Sequence, residues 1–197
     1  MTTTRPALRW PAIGGVVGPA GFIAAWAAGA VVSKELSPVQ DAISRLAAVG
    51  ADTRPLMTTG FVVFGIGLPV FATALRRHVA GPAWIAAAAT GLCTLGVALA
   101  PLDRSASVDR LHAVFAGLGY LTLAATPLLA ARPLRRAGHR RLADCGIAAG
   151  SLAALSLALS LTGLPTGLFQ RIGLTAGDVW IVASAAMVLA GRLTPAG

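Results

Sequence analysis

Charge is scarce in this sequence. Only 12% of its 197 residues are charged, while 56% are hydrophobic and the mean hydropathy is +0.76; an ordinary soluble domain carries about a quarter charged residues. Such a composition excludes a water-soluble fold and points to an integral membrane protein. Among the charged residues acids are the scarcer, seven Asp and Glu against sixteen Lys and Arg. The resulting net charge of +9 does not indicate nucleic-acid binding, because the basic residues fall in short connectors between hydrophobic runs and no soluble segment presents them.

Ligating and nucleophilic side chains are equally few. The two cysteines, Cys93 within an apolar run and Cys145 at the edge of another, make neither a disulfide framework nor a metal motif and read as small packing residues. His78, His112 and His139 are too scattered for zinc, which needs several protein ligands together, or for a bis-histidine haem. Glycine-rich phosphate loops and a nucleophile elbow are missing, so nucleotide chemistry and serine hydrolysis through Ser44, His112 and Asp103 find no support. No cofactor and no metal is expected.

What the chain does have is long apolar runs. Six of them, each near the roughly 20 residues that cross a hydrocarbon core, cover Trp10–Val32, Met57–Leu75, Gly81–Ala100, Leu111–Ala131, Leu142–Thr162 and Ile172–Ala190. They predict an all-α integral membrane protein, one compact six-transmembrane-helix bundle over residues 1–197. Arg5 and Arg9 before the first run and Ala28-Gly29-Ala30 near its end are features of a signal peptide. The apolar part is longer than a signal core and carries packing glycines, so a retained span is expected. Gly14/Gly18, Gly146/Gly150 and Gly173/Gly177 at i,i+4 predict close helix approaches, and Pro19, Pro69 and Pro127 predict local irregularity within spans.

Basic residues set the orientation. Arg5, Arg9, Arg76, Arg77, Arg132, Arg135, Arg136, Arg140, Arg141 and Arg192 share one side, ten against the six formed by Lys34, Arg45, Arg54, Arg104, Arg110 and Arg171. Glu35, Asp41, Asp52, Asp103 and Asp109 accompany the smaller set, whereas Asp144 alone joins the larger, where it is expected to pair with a neighbouring arginine. The expectation is a cytoplasmic-membrane protein with both termini cytoplasmic. The basic connector Arg132–Arg141 reads as topogenic, with incidental contact to anionic lipid.

The polar stretch Ser37–Gly50 stands apart from the apolar runs. Ser37 with Gln40 reads as a capping box, Pro38 falls at the first helical position and Gly50 suits a stop. Val39, Ile43 and Leu46 share one side, which predicts a short amphipathic helix in the first extracytoplasmic loop. Other polar residues that topology does not explain gather at the same membrane face. Asp41, Ser44 and Arg45 come from the first outer connector, Asp103 from the second, His112 from the mouth of the fourth span, and Gln170 and Arg171 from the mouth of the sixth. Asp109, three residues before His112, is placed to orient it if the helix has begun there. Asp178 shares a helix face with Arg171 and Leu174, about 10 Å deeper by the helical rise; an ionisable residue at that depth needs an internal partner or marks a proton or ligand site.

In these residues the chain resembles the uncharacterised membrane-protein family known as domain of unknown function 998 (DUF998). The resemblance rests on Ser37-Pro38, Asp41-x-x-Ser44-x-Leu46 and Gly50, then Met57-x-x-Gly60-Phe61, Pro101-x-Asp103 and His112. Gly167-x-x-Gln170-Arg171 followed by Trp180 completes it. It implies a six-span helical membrane protein and no established reaction. Many family members carry Glu-Arg where this chain has Gln170-Arg171, which speaks against an acid's role at that position. The expected function is binding of a lipid head group or other anionic amphiphile in a polar pocket at the extracytoplasmic face. Arg45 and Arg171 would contact the anion, with Asp41, Asp103, His112 and Asp178 orienting them or relaying protons. The alternatives are a membrane enzyme acting on a lipid-like substrate with His112 or Asp103 as acid or base, a structural or accessory membrane protein, and a transporter, which only Asp178 supports.

Overall fold

The computed structural model describes residues 9–195, so Arg5 lies outside the described residues. A 3-10 turn, Trp10–Ile13, leads into α1 (Gly14–Val32), followed by α2 (Arg54–His78), α3 (Ala83–Leu99), α4 (Ala106–Arg136), α5 (Arg140–Ser160) and α6 (Thr166–Leu189). Among the described residues, five helical segments are long and apolar enough to cross a membrane: Trp10–Val32, α2, α4, α5 and α6. At 17 residues α3 is shorter, about 25 Å by the helical rise. Each helix packs on the next, and α6 returns onto α1, closing a ring, while also touching α2 and α4. Large apolar side chains such as Val17, Ile66, Leu92, Leu121 and Val179 remain on the outside, as a body solvated by lipid requires.

Several boundaries move from their expected places. With 31 residues α4 is the longest helix: Ser105 caps it by accepting from Val108 N–H at 3.4 Å, and Asp109 occupies the first turn, where the helix dipole favours an acid. It absorbs residues expected in connectors at both ends and tolerates Pro133 inside. The basic connector shrinks to Ala137–His139, turned by Gly138 at φ +86°. Asp144 accepts from Arg135 Nε at 3.0 Å, the pairing expected of it.

The stretch Ser37–Gly50 is not one amphipathic helix. A turn over residues 38–40 is followed by a five-residue 3-10 helix, Ile43–Ala47. Gln40 N–H donates to Ser37 Oγ at 3.3 Å, but the reciprocal acceptor for Ser37 N–H is the Asp41 carboxylate at 2.7 Å, not Gln40. Ile43 and Leu46 bury as expected, whereas Val39 remains largely exposed. The α-helix fails because the carbonyls of residues 38–41, which would accept its internal hydrogen bonds, are taken by α6. Gly50, at φ +89°, does end the stretch.

All three glycine pairs lie at helix contacts: Gly14 and Gly18 against Gly67 of α2, Gly146 and Gly150 against Trp180 and Leu128, Gly173 and Gly177 against Tyr120 and Leu123. A Cβ on Gly67 would sit 2.7 Å from the Gly14 carbonyl oxygen and 2.9 Å from Gly18 Cα, two backbone groups with nowhere to move. A Cβ on Gly117, by contrast, meets nothing within 4 Å. Gly67→Ala is therefore expected to destabilise the purified protein by about 1–3 kcal/mol, the usual cost of overpacking. Gly117→Ala is expected to be neutral or stabilising by up to about 1 kcal/mol from helix propensity. Unfolding midpoints in detergent test this, and equal effects of the two changes would refute the tight α1–α2 crossing.

Candidate functional site

The connectors α1–α2, α3–α4 and α5–α6 meet at one end of the bundle. There α6 opens directly after Pro165, and its first N–H groups have no acceptor within the helix. They find one in the first connector. Gly167 N–H donates to the Gln40 carbonyl at 3.3 Å and Leu168 N–H to the Val39 carbonyl at 2.9 Å. Arg171 adds Nη1 donations to the carbonyls of Pro38 at 2.6 Å, Asp41 at 3.1 Å and Gly167 at 3.0 Å. Gln170 answers with an acceptor, its Oε1 receiving Ile43 N–H at 3.0 Å. A side chain at position 167 would collide with the carbonyls of Pro38 and Asp41, so glycine is required by this approach. The Arg171 guanidinium also lies 5.4 Å from the centre of the Trp26 ring, a cation–π arrangement. Residues 38–44 thus form a roof strapped to the start of α6.

Beneath the roof is a cavity of about 80 Å³, lined by α1, α2, α3, α4 and α6; a single water needs about 10–15 Å³. Phe22, Phe61, Phe64 and Phe115 line its apolar walls, and Ser44, Thr90, Thr94, His112, Tyr120 and Gln170 supply polar groups. The threonines are partly satisfied by their own helix: Thr90 Oγ1 donates to Ala86 O and Thr94 Oγ1 to Thr90 O, each at 2.9 Å. Tyr120 O–H, 3.3 Å from the carbonyls of Phe169 and Gln170, ties α4 to α6. His112 is only 4% exposed and its Nδ1 lies 2.7 Å from the Ala100 carbonyl oxygen, just beyond the end of α3. A carbonyl only accepts, so this contact assigns the proton to Nδ1 in the neutral ring and leaves Nε2 as an acceptor. Nε2 is buried and has no partner among the described residues.

The predicted site residues separate into groups. Ser44, His112 and Gln170 come together on the cavity. Asp41 turns its carboxylate to Ser37 and its carbonyl to Arg171. Arg45 and Asp103 pair with each other at 2.9 Å on a separate outer groove shared with Lys34, Glu35 and Asp52. Asp109 does not orient His112; its carboxylate accepts from Asp103 N–H at 3.0 Å, steadying a turn in which Asp103 adopts φ +64°. Arg171 serves the roof. Among the described residues, no three His, Cys, Asp or Glu side chains lie close enough to hold a metal ion.

Asp178 is the outlier. It is 0% exposed, and neither carboxylate oxygen has a hydrogen-bond partner among the described residues. Arg171, whose hydrogen bonds all go to main-chain carbonyls, does not reach it. The acid stands in the bundle interior without the ion pair that would explain it as a fastener.

Sequence reasoning missed Tyr120, Thr90, Thr94 and the four phenylalanines. The signal for Tyr120 was available: it is the single tyrosine in the chain, and Gly173 leaves the space that its hydroxyl fills. Residues 16–187 match the family described as "Protein of unknown function (DUF998)", most of the chain. No curated protein and no solved structure matches.

Removing the roof strap with Arg171→Ala is expected to cost about 1.5–3 kcal/mol, the range for hydrogen bonds to a charged group, and to speed proteolysis between residues 33 and 44. Arg45→Ala, which breaks an exposed pair, is expected to cost less than about 1 kcal/mol. Limited proteolysis and unfolding midpoints distinguish the two, and an equal response would deny Arg171 its special role. Asp178→Asn keeps the shape of the side chain and removes its capacity to ionise. With no partner to lose, it is expected to leave the unfolding midpoint unchanged or raised; a loss beyond about 1 kcal/mol would reveal a partnered carboxylate.

Proposed function

The chain belongs to the DUF998 family of proteins of unknown function, and we propose that it holds the polar head of an amphiphile in the cavity beneath the 38–44 roof. The observation that carries this reading is His112 Nε2, a buried acceptor left open in a ring that lines the cavity. Buried polar groups are nearly always satisfied, so an unpartnered one in a side chain that lines free space points to a ligand donor. Among the described residues no Asp, Glu, Lys or Arg lines the cavity, while Arg45 and Arg171 are engaged outside it. That favours an uncharged head with a hydroxyl or amide donor over the anion expected from sequence. The four phenylalanines accept the first carbons of its apolar part, and the remainder lies in the bilayer.

In this reading all six helices span the membrane, α3 included, and the basic connectors hold the opposite end in the cytoplasm. Both termini are then cytoplasmic and the roof faces outward, in reach of molecules on the extracytoplasmic leaflet. A second reading rests on the same nitrogen: His112 as general base towards a hydroxyl of the bound molecule. Its proton-bearing Nδ1 is already oriented by the Ala100 carbonyl, which fits that role.

Mass spectrometry of amphiphiles carried by protein purified gently from its native membrane tests the proposal. The wild type is expected to retain a defined molecule bearing a hydroxyl or amide, and His112→Leu, verified as helical and monodisperse, to lose it at least tenfold, as for a buried hydrogen bond worth about 1.5 kcal/mol. Retention of the same molecule by His112→Leu would reject the site. Turnover of that molecule by the wild type, abolished in a His112→Gln variant that still binds it, would select the enzymatic reading.

A further inference from the structure

A larger recess lies at the opposite, arginine-rich end of the bundle, between the last turns of α2 and the first turns of α3. Its volume is about 480 Å³, and Pro69, Ala72 and Ala88 form its apolar floor while Arg76, Arg77 and Trp84 stand around its upper part. The Arg76 guanidinium lies 4.9 Å from the centre of the Trp84 ring, a stacking that fixes the direction of an otherwise flexible cation. Both arginines are exposed, and neither has an ion pair or a side-chain hydrogen bond among the described residues. The acid available at this end, Asp144, is taken by Arg135. The helix dipole and the rules of membrane topology account for positive charge in the last turn of α2. They do not account for an arginine stacked on a half-buried tryptophan at the head of an apolar groove.

We propose that this recess is a binding site for an anionic phospholipid. Arg76 and Arg77 hold the phosphate, which guanidinium groups recognise by paired hydrogen bonds. Trp84 sits at the level of the glycerol backbone, the depth at which tryptophan is favoured. One acyl chain runs along the floor of Pro69, Ala72 and Ala88. The charge complementarity commits the groove to a lipid of this class, and the site is independent of the cavity under the roof.

Native mass spectrometry of the full chain in detergent, titrated with phosphatidylglycerol or with phosphatidylcholine of the same acyl chains, tests it. The wild type is expected to bind one phosphatidylglycerol in clear preference. R76Q/R77Q is expected to weaken that binding about thirtyfold, from the known attraction of two basic groups to an anionic lipid. R140Q/R141Q removes the same charge from exposed positions at the same end and is expected to change it less than about threefold. Trp84→Leu leaves both arginines in place and is expected to weaken binding about three- to fivefold through the lost stacking. Equal losses in the two double variants, no preference for phosphatidylglycerol in the wild type, or unaltered binding by Trp84→Leu each overturns the proposal.

Discussion

The unsatisfied donors at the start of α6 are the constraint from which the roofed end of this protein follows. A helix that begins at the edge of a membrane must find acceptors for its first N–H groups or carry the cost of leaving them bare where water is scarce. Here Gly167 and Leu168 donate to the carbonyls of residues 39 and 40, and Arg171 adds those of residues 38 and 41. These bonds join a connector near the beginning of the chain to its last helix, so they reinforce the closure of the helical ring. They also decide the local conformation, since carbonyls drawn to α6 are not available to an α-helix of their own. Ile43 and Ser44 are left over the cavity, with Gln170 holding the backbone at that point.

Charge and neutral polarity are kept apart in this fold. Arg45 with Asp103 and Arg135 with Asp144 are ion pairs near the ends of the bundle, where side chains are half exposed. The cavity holds hydroxyls, an amide and an imidazole among aromatic rings. Such a lining offers a few directional hydrogen bonds rather than long-range attraction, and it keeps its character across ionic strength. Asp178 departs from the pattern as an ionisable group in the interior with no hydrogen-bond partner among the described residues, the arrangement that in membrane proteins accompanies function more often than stability.

Hydrophobic run length made the helices legible before any coordinates, because the bilayer imposes one length on every crossing segment. Glycine spacing likewise disclosed the contacts at Gly14/Gly18, Gly146/Gly150 and Gly173/Gly177, since close backbone approach leaves few residues to choose from. The helix ends were less legible: Ser105 starts α4 inside what composition marks as a loop, and Pro133 fails to stop it. Of the eight residues expected to cluster, Ser44, His112 and Gln170 line one cavity, because they crowd at neighbouring span mouths. The partners of Arg45, Arg171 and Asp109 were not, as they depend on main-chain carbonyls and turn geometry that periodicity does not encode. Tyr120 and the phenylalanines looked like ordinary core residues, and only the space between them sets them apart.

The strap on the roof grips main-chain oxygen atoms, and that has an evolutionary corollary. Residues 39 and 40 contribute only their carbonyls to α6, and the side chain of Val39 is largely exposed. Amino-acid replacement at these two positions is therefore close to silent, provided the residue tolerates a turn. An insertion or deletion of a single residue is not, because it shifts every oxygen out of register with its donor at once. At residues 39 and 40 the constraint is therefore on the length and path of the chain rather than on the identity of the side chains.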